Sequence, residues 1–212
     1  MIQKYKHVIW DWNGTLLNDT ALSVDIINGV LTNHNLDPLS LDDYRLIFNF
    51  PVKDYYEKAG FNFSLNSFEV IGKQWMDEYE RRKGETNLFD GAREVLGYIK
   101  SAGIDQSILS AYSHHTLIEI VEYYKLGEYF KYITGLDHIY ATSKLEIGKE
   151  LIEKIDCPKD KIVLVGDTIH DYEVANGLGV KCILIANGHQ SRERLMACNV
   201  PMLNDIREII EV

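Results

Sequence analysis

An apolar run, Val8-Ile9-Trp10, stops at Asp11 and passes into a tight polar turn, Asn13-Gly14-Thr15. The same arrangement returns near the far end of the chain, where Ile162-Val163-Leu164-Val165-Gly166 runs into Asp167-Thr168. Short apolar runs bounded by turn residues read as buried strands. A carboxylate that closes such a strand must stand at the edge of the sheet, where water or a ligand can reach it. Strands are therefore expected over 5–11, 104–110, 132–134, 162–166 and 182–185. Helical stripes separate the later ones: Val95, Leu96 and Ile99; Leu117, Ile120, Val121 and Tyr124; Ile147, Leu151, Ile152 and Ile155; and residues 172–178. Gly103 is expected to end the first of these helices in a left-handed conformation. Strands alternating with helices of this length predict an α/β fold, a doubly wound parallel sheet with helices on both faces.

Residues 18–86 break that rhythm. Leu22, Ile26, Ile27, Val30 and Leu31 recur at helical spacing. A break follows at Pro38 and the Ser40-Leu41-Asp42-Asp43 start signal. A short helix is expected over 52–59, and a longer one over 68–82 with Val70, Ile71, Trp75, Met76 and Tyr79 on its apolar face. This all-helical block reads as an insertion between the first strand and the rest of the sheet. The expected division is a core of residues 1–17 and 87–212 and an inserted unit of 18–86, with linkers near 17–20 and 85–90.

The bulk properties exclude several function classes. Lys+Arg total 22 against Asp+Glu 32, a formal net charge of −10. Such a surface argues against binding nucleic acid or anionic membranes. No apolar run approaches membrane-spanning length, and the N-terminal run, broken by Asp11, is no signal peptide. Cys157, Cys182 and Cys198 lack metal-ligand spacing and read as reduced thiols. The expectation is a cytoplasmic protein. No G-x-G-x-x-G follows any strand, which argues against a nicotinamide-binding domain. The sequence assigns no oligomeric state.

Asp11, Ser110 and Asp167 all fall at expected carboxyl ends of strands, the edge at which open α/β sheets bind ligands. With Asp171 four residues beyond Asp167, the carboxylates form a candidate Mg²⁺ site. A carboxylate can also attack a phosphoryl group. The turn after Asp11 offers backbone N–H groups of Trp12 and Asn13 to an anion.

In these residues the chain resembles the haloacid dehalogenase superfamily, nearest its phosphoglycolate-phosphatase-like branch. That family's first motif, Asp-x-Asp-Gly-Thr, is matched by Asp11-Trp12-Asn13-Gly14-Thr15. Its second, a Ser or Thr closing an apolar strand, is matched by Ser110, which Ala111 follows. Its third, a Lys opening a helix, is matched by Lys144, and its fourth by Gly166-Asp167-Thr168 with Asp171. The resemblance implies a helical cap at 18–86 and a small phosphorylated metabolite as substrate, phosphoglycolate first. It implies Asp11 as nucleophile, Ser110, Ala111 and the Trp12 backbone as phosphate contacts, and Lys144 as the charge on the phosphate and on Asp11. Asp11, Asn13 (through its carbonyl), Asp167 and Asp171 would hold Mg²⁺.

Asn13 departs from the pattern. The family's second Asp protonates the leaving group and then activates water, and Asn does neither. General acid/base catalysis is worth roughly 10²–10⁴-fold, so a phosphatase is weakened rather than erased. His114, His115 or His170 could stand in as base. Phosphonoacetaldehyde hydrolase, in the same superfamily, also lacks that acid and uses a cap lysine, which makes P–C cleavage through Lys53 an alternative. A phosphate-binding protein without turnover is another. Arg45 and Lys53 are candidates for reading a substrate carboxylate. The cap aromatics Tyr44, Phe48, Phe50, Tyr55 and Tyr56 read mainly as core.

Overall fold

The computed structural model describes residues 1–136 and 143–211. Strand β1 (His7–Trp10) leads through a two-residue strand, β2 (Leu17–Asn18), into four helices. These are α1 (Thr20–Asn33), α2 (Leu41–Ile47), α3 (Val52–Lys58) and α4 (Phe68–Arg82). The chain returns through β3 (Asn87–Leu88) and α5 (Ala92–Ser101), then β4 (Asp105–Ser113), α6 (His114–Tyr123) and β5 (Tyr132–Leu136). The last part runs α7 (Lys144–Lys154), β6 (Ile162–Gly166), α8 (Ile169–Leu178), β7 (Lys181–Ile185), α9 (Arg192–Leu195), β8 (Met202–Leu203) and α10 (Glu208–Glu211).

Six strands form one sheet in the order β5-β4-β1-β6-β7-β8, and every pairing in it is parallel. The expected doubly wound α/β fold is present. β1 lies at the centre because all four of its residues are buried, which suits a strand covered on both faces. Its side chains alternate between layers. Val8 and Trp10 pack with Val95, Leu96 and Leu117 on one face, and Ile9 packs with Leu151, Val174 and Leu178 on the other. Gly103 has φ of +72°, the left-handed stop anticipated after α5.

Three features differ from the sequence expectation. β4 does not end at Ser110 but continues to Ser113, with a register shift against β5 after Leu109. The irregularity turns Ser110 toward its own strand, and its Oγ accepts the Tyr112 N–H at 3.1 Å. The linkers at each end of the helical block are β2 and β3, which pair antiparallel, Leu17 with Leu88 and Asn18 with Asn87. Two-residue strands carry no readable period. On α4 only Ile71 and Tyr79 are buried, while Val70 and Met76 are half-exposed. Met76 lines the cavity described below instead of the helical core.

α1–α4 share a core of their own, built on Ile27, Leu31, Tyr44, Tyr55, Tyr56 and Ile71. Polar contacts tie it to the loop after β7. Arg45 donates to the carbonyls of Asn187 and Gly188, both at 2.9 Å. Gln190 and Arg194 both donate to the Phe48 carbonyl.

Candidate active site at the carboxyl edge of the sheet

β1 and β6 are hydrogen-bonded neighbours in register, Trp10 beside Val165. Asp11 and Asp167 therefore emerge side by side although they lie far apart in sequence. Asp171 joins them from the first turn of α8. It sits at the third helical position rather than at the cap. Thr168 is the N-cap, in a reciprocal capping box with Asp171. The Asp171 Oδ2 accepts from Thr168 N–H (3.0 Å) and Thr168 Oγ1 (2.6 Å).

Lys144 enters from the start of α7, where a Ser143–Glu146 capping box fixes the helix terminus. Its side chain is 3% exposed, and its Nζ lies 2.5 Å from both Asp11 Oδ1 and Asp171 Oδ1. A buried cation of this kind is sustained by the two carboxylates it contacts, and they hold its pKa above the ordinary lysine value. The neighbouring Lys149 is exposed. Thr15 spans the two strand ends, its hydroxyl 3.0 Å from Asp167 Oδ1 and 3.4 Å from Asp11 Oδ2. Gly14 has φ of +74°, and any side chain there would strike Asp167 and His189. The Asn-Gly turn thus lets the backbone pass close to the carboxylates.

Oxygens of Asp11, Asp167 and Asp171 all lie within 4.8 Å of one another. Three buried carboxylates around one ammonium leave an excess of negative charge. Burial and the neighbouring acids raise the Asp11 and Asp167 pKa values, while Lys144 holds Asp171 low, against its own burial. Hard oxygen donors with unbalanced charge fit Mg²⁺.

A second network adjoins the first, and sequence reasoning missed it. Asp19, 1% exposed, accepts from Asn13 Nδ2 (2.8 Å), Tyr79 Oη (2.8 Å) and Gly14 N–H (2.9 Å). The His189 Nε2 lies 3.2 Å from its other side. The Asn13 amide also donates to Tyr79 at 2.7 Å. Asp19, Asp167 and Asp11 raise the His189 pKa to about 9 despite its burial. The His189 N–H donates to Asp167 Oδ2 at 2.6 Å, and its Nδ1 lies 2.9 Å from Tyr44 Oη. A signal for His189 existed: Gly188-His189 follows the apolar run of β7 and so falls on the same sheet edge.

The remaining expected site residues divide between the cavity wall and positions away from it. Ser110 and Ala111 line the cavity above Asp11. The Trp12 indole is fully buried in the core, so only its backbone is available. His170 lines the cavity against Phe50, ring centres 4.8 Å apart. His115 is exposed and paired with Glu119, and His114 faces Gly135. Lys53 is exposed, its Nζ 5.6 Å over the Phe63 ring. Arg45 is spent on backbone carbonyls. None of these last four is among the described residues lining the cavity.

Metal-free protein should lose stability as pH rises. Asp11 and Asp167 have folded pKa values of about 7 and about 6, above the ordinary 3.8. Their protonated forms stabilise the fold fully below about 3.8, and that contribution is lost as pH climbs through 6–7. His189 adds a loss in the same direction, through about 9. Asp171, held low, contributes in the opposite direction only in acid, and His7, lowered by burial to about 4, opposes the losses up to about 6.5 without matching the sum of the other three. Melting curves with EDTA should therefore show Tm falling from pH 5 to pH 8. Added Mg²⁺, which competes with those protons, should raise Tm more at pH 8 than at pH 5; an equal rise at both would count against this ligand set.

Adjacent strand-end aspartates, a buried lysine and a third acid thus form one buried charged cluster at the carboxyl edge of a parallel α/β sheet. The chain belongs to the haloacid dehalogenase-like hydrolases, whose family model matches residues 8–185. It is 23% identical over 190 residues to a phosphoglycolate phosphatase of Caulobacter vibrioides, covering 86% of this chain and 79% of that protein. Against a phosphoglycolate phosphatase of Pseudomonas syringae pv. syringae, identity is 22% over 138 residues, or 64% of this chain, and the match spans 51% of that relative's length. In fold it is similar to a haloacid dehalogenase-like hydrolase of Streptococcus pneumoniae. That comparison has a TM-score of 0.85 and 14% identity and covers 98% of both chains. No described helix is long and apolar enough to cross a membrane.

Proposed function

We propose that the chain is a Mg²⁺-dependent phosphatase that removes phosphate from a small monoester through Asp11. The observation that carries this reading is the buried Lys144 held between Asp11 and Asp171, with Asp167 adjoining, beneath a cavity at the carboxyl edge of the sheet. Family membership and relatives named phosphatases support it.

The Asp11 carboxylate is positioned by Lys144 and Thr15. An oxygen of Asp11 attacks phosphorus, the bond to the leaving oxygen breaks, and water later attacks the aspartyl-phosphate to restore Asp11. Lys144 stabilises charge on the phosphoryl oxygens as a fixed cation, and Ser110 and Ala111 line the same space. Asp11, Asp167 and Asp171, with the Asn13 carbonyl that the family motif adds, would hold Mg²⁺, which would supply neutralisation of negative charge between carboxylate and phosphate. Residues 18–86 serve as a cap that closes the cavity over these groups, and 1–17 with 87–212 serve as the catalytic core. No placement of Lys53 favours P–C cleavage.

Phosphate release in the presence of Mg²⁺ and its loss on chelation test the reading. Binding of phosphate with no turnover of any ester would replace it by the binding-protein alternative. Lys144→Met is expected to abolish release. At pH 8 it should also lower stability by about 3–5 kcal/mol, since it leaves buried carboxylates without their cation. Urea melts at pH 8 and pH 5 check this, because the deficit should shrink where the acids are protonated.

A further inference from the structure

The cavity above Asp11 measures about 180 Å³. One end holds Asp11, Ser110 and Lys144. The other is walled by rings from the helical insertion, Tyr44, Phe48, Phe50, Tyr55 and Tyr56, with Tyr112 from β4. Apart from Lys144, no lysine or arginine occurs among the described lining residues. Of its two histidines, one is fully engaged. Both ring nitrogens of His189 have partners, Asp19 and Tyr44, and His170 lies against Phe50 with its Nδ1 3.6 Å from Glu173. A carboxylate attached to the phosphate would therefore lie among rings with no lysine or arginine beside it, the His189 imidazolium being already committed to Asp19 and burial favouring neutral His170, which is unfavourable. An aromatic ring would meet edges and faces of other rings, an arrangement that attracts.

The acid/base groups lead to the same chemistry. Expelling an alkoxide requires a proton donor at the bridging oxygen. Asn13 has no acidic proton, and both hydrogens of its amide are donated, to Asp19 and Tyr79. Asp19 is surrounded by hydrogen-bond donors and is an acceptor only. Lys144 is fixed between two carboxylates. A phenol, with a pKa near 10, leaves as its anion without that help, whereas an alcohol near 16, like water, does not. One further feature fits a substituted ring. The Tyr55 hydroxyl is buried and has no hydrogen-bond partner among the described residues, so it can serve a polar substituent.

Resting on the phosphatase reading above, we propose that the substrate is an aryl phosphate, its ring seated among the cap aromatics and its phosphate on Ser110 and Lys144. The Asp11 oxygen bonds to phosphorus as the P–O(aryl) bond breaks, and its electron pair leaves on the phenolate, which takes a proton from solvent. Water then adds to phosphorus, the aspartyl bond breaks, and hydrogen phosphate departs.

The test is kcat/KM of the Mg²⁺-loaded protein for phenyl phosphate, cyclohexyl phosphate and 2-phosphoglycolate, since kcat/KM reports the phosphorylating step. Phenyl phosphate should exceed 2-phosphoglycolate by at least about 10²-fold, the scale of a missing acid. Cyclohexyl phosphate should compete with phenyl phosphate for binding yet react slowly. Phe50→Ala, at a half-exposed position that tolerates change, should raise KM for phenyl phosphate about tenfold and narrow the preference. Asp11-dependent turnover with 2-phosphoglycolate equal or better would overturn the inference and leave the phosphatase reading standing. No Asp11-dependent turnover of any of the three would remove the aryl-phosphate inference, and the phosphatase reading would fall with it if no other monoester released phosphate.

Discussion

Asp11→Asn is expected to reduce ester hydrolysis about 10⁴–10⁶-fold, the scale of losing a covalent nucleophile, while making the metal-free protein more stable. The two effects have one cause. Asp11 is one of three buried carboxylates grouped at a single ammonium, and its pKa is raised because the fold disfavours its ionised form. The neutral amide keeps the shape and an acceptor for Lys144 but relieves the repulsion. Relief of about 1–2 kcal/mol would raise Tm by about 2–8 °C in a chain of this size. Paired calorimetry in EDTA at pH 8 and phosphate-release assays in Mg²⁺ check the combination. A variant that is both inactive and less stable would mean Asp11 holds the turn together, and retained activity would remove it as nucleophile.

Asn13→Asp should raise steady turnover by about 10²-fold or more and lower stability by about 1–3 kcal/mol. The Asn13 Nδ2 is a donor 2.8 Å from Asp19 Oδ2. A carboxylate there would face another carboxylate at hydrogen-bond distance, and two such groups share one proton, with one pKa strongly raised. That proton is what the native site lacks. With 4-nitrophenyl phosphate, the native protein should release about one equivalent of nitrophenol rapidly and then turn over slowly, because water attacks the aspartyl-phosphate without a base. Asn13→Asp should leave the burst unchanged and accelerate the slow phase. A native time course with no burst, and no gain in the variant, would mean that another group activates water; His170, which lines the cavity, is then the first to test.

The fold was legible where the pattern was long. β1, β6 and β7 are buried through most of their length, and such runs between turn residues have few other solutions. The four helices of the insertion were legible for the same reason. Two-residue strands such as β2, β3 and β8 have no period to read, and they form because neighbouring elements hold their backbone in register. β4 runs past Ser110 because β5 continues to pair with it after a shift, a matter decided by the partner strand. Likewise, nothing local says that Val70 and Met76 would remain half-exposed.

The sequence by itself determined the parallel sheet, the two strand-end aspartates and the lysine at a helix start, because apolar period and abrupt polar stops are local properties of the chain. Tertiary structure alone decided that β1 and β6 are neighbours, so that Asp11, Asp167, Asp171 and Lys144 meet. It also decided that Asn13 donates to Asp19 and Tyr79, that His189 closes that network, and that Arg45 is tied to carbonyls. Those partners come from separate elements, and the hydrogen bonds between them exist only once the helical insertion has packed against the sheet edge.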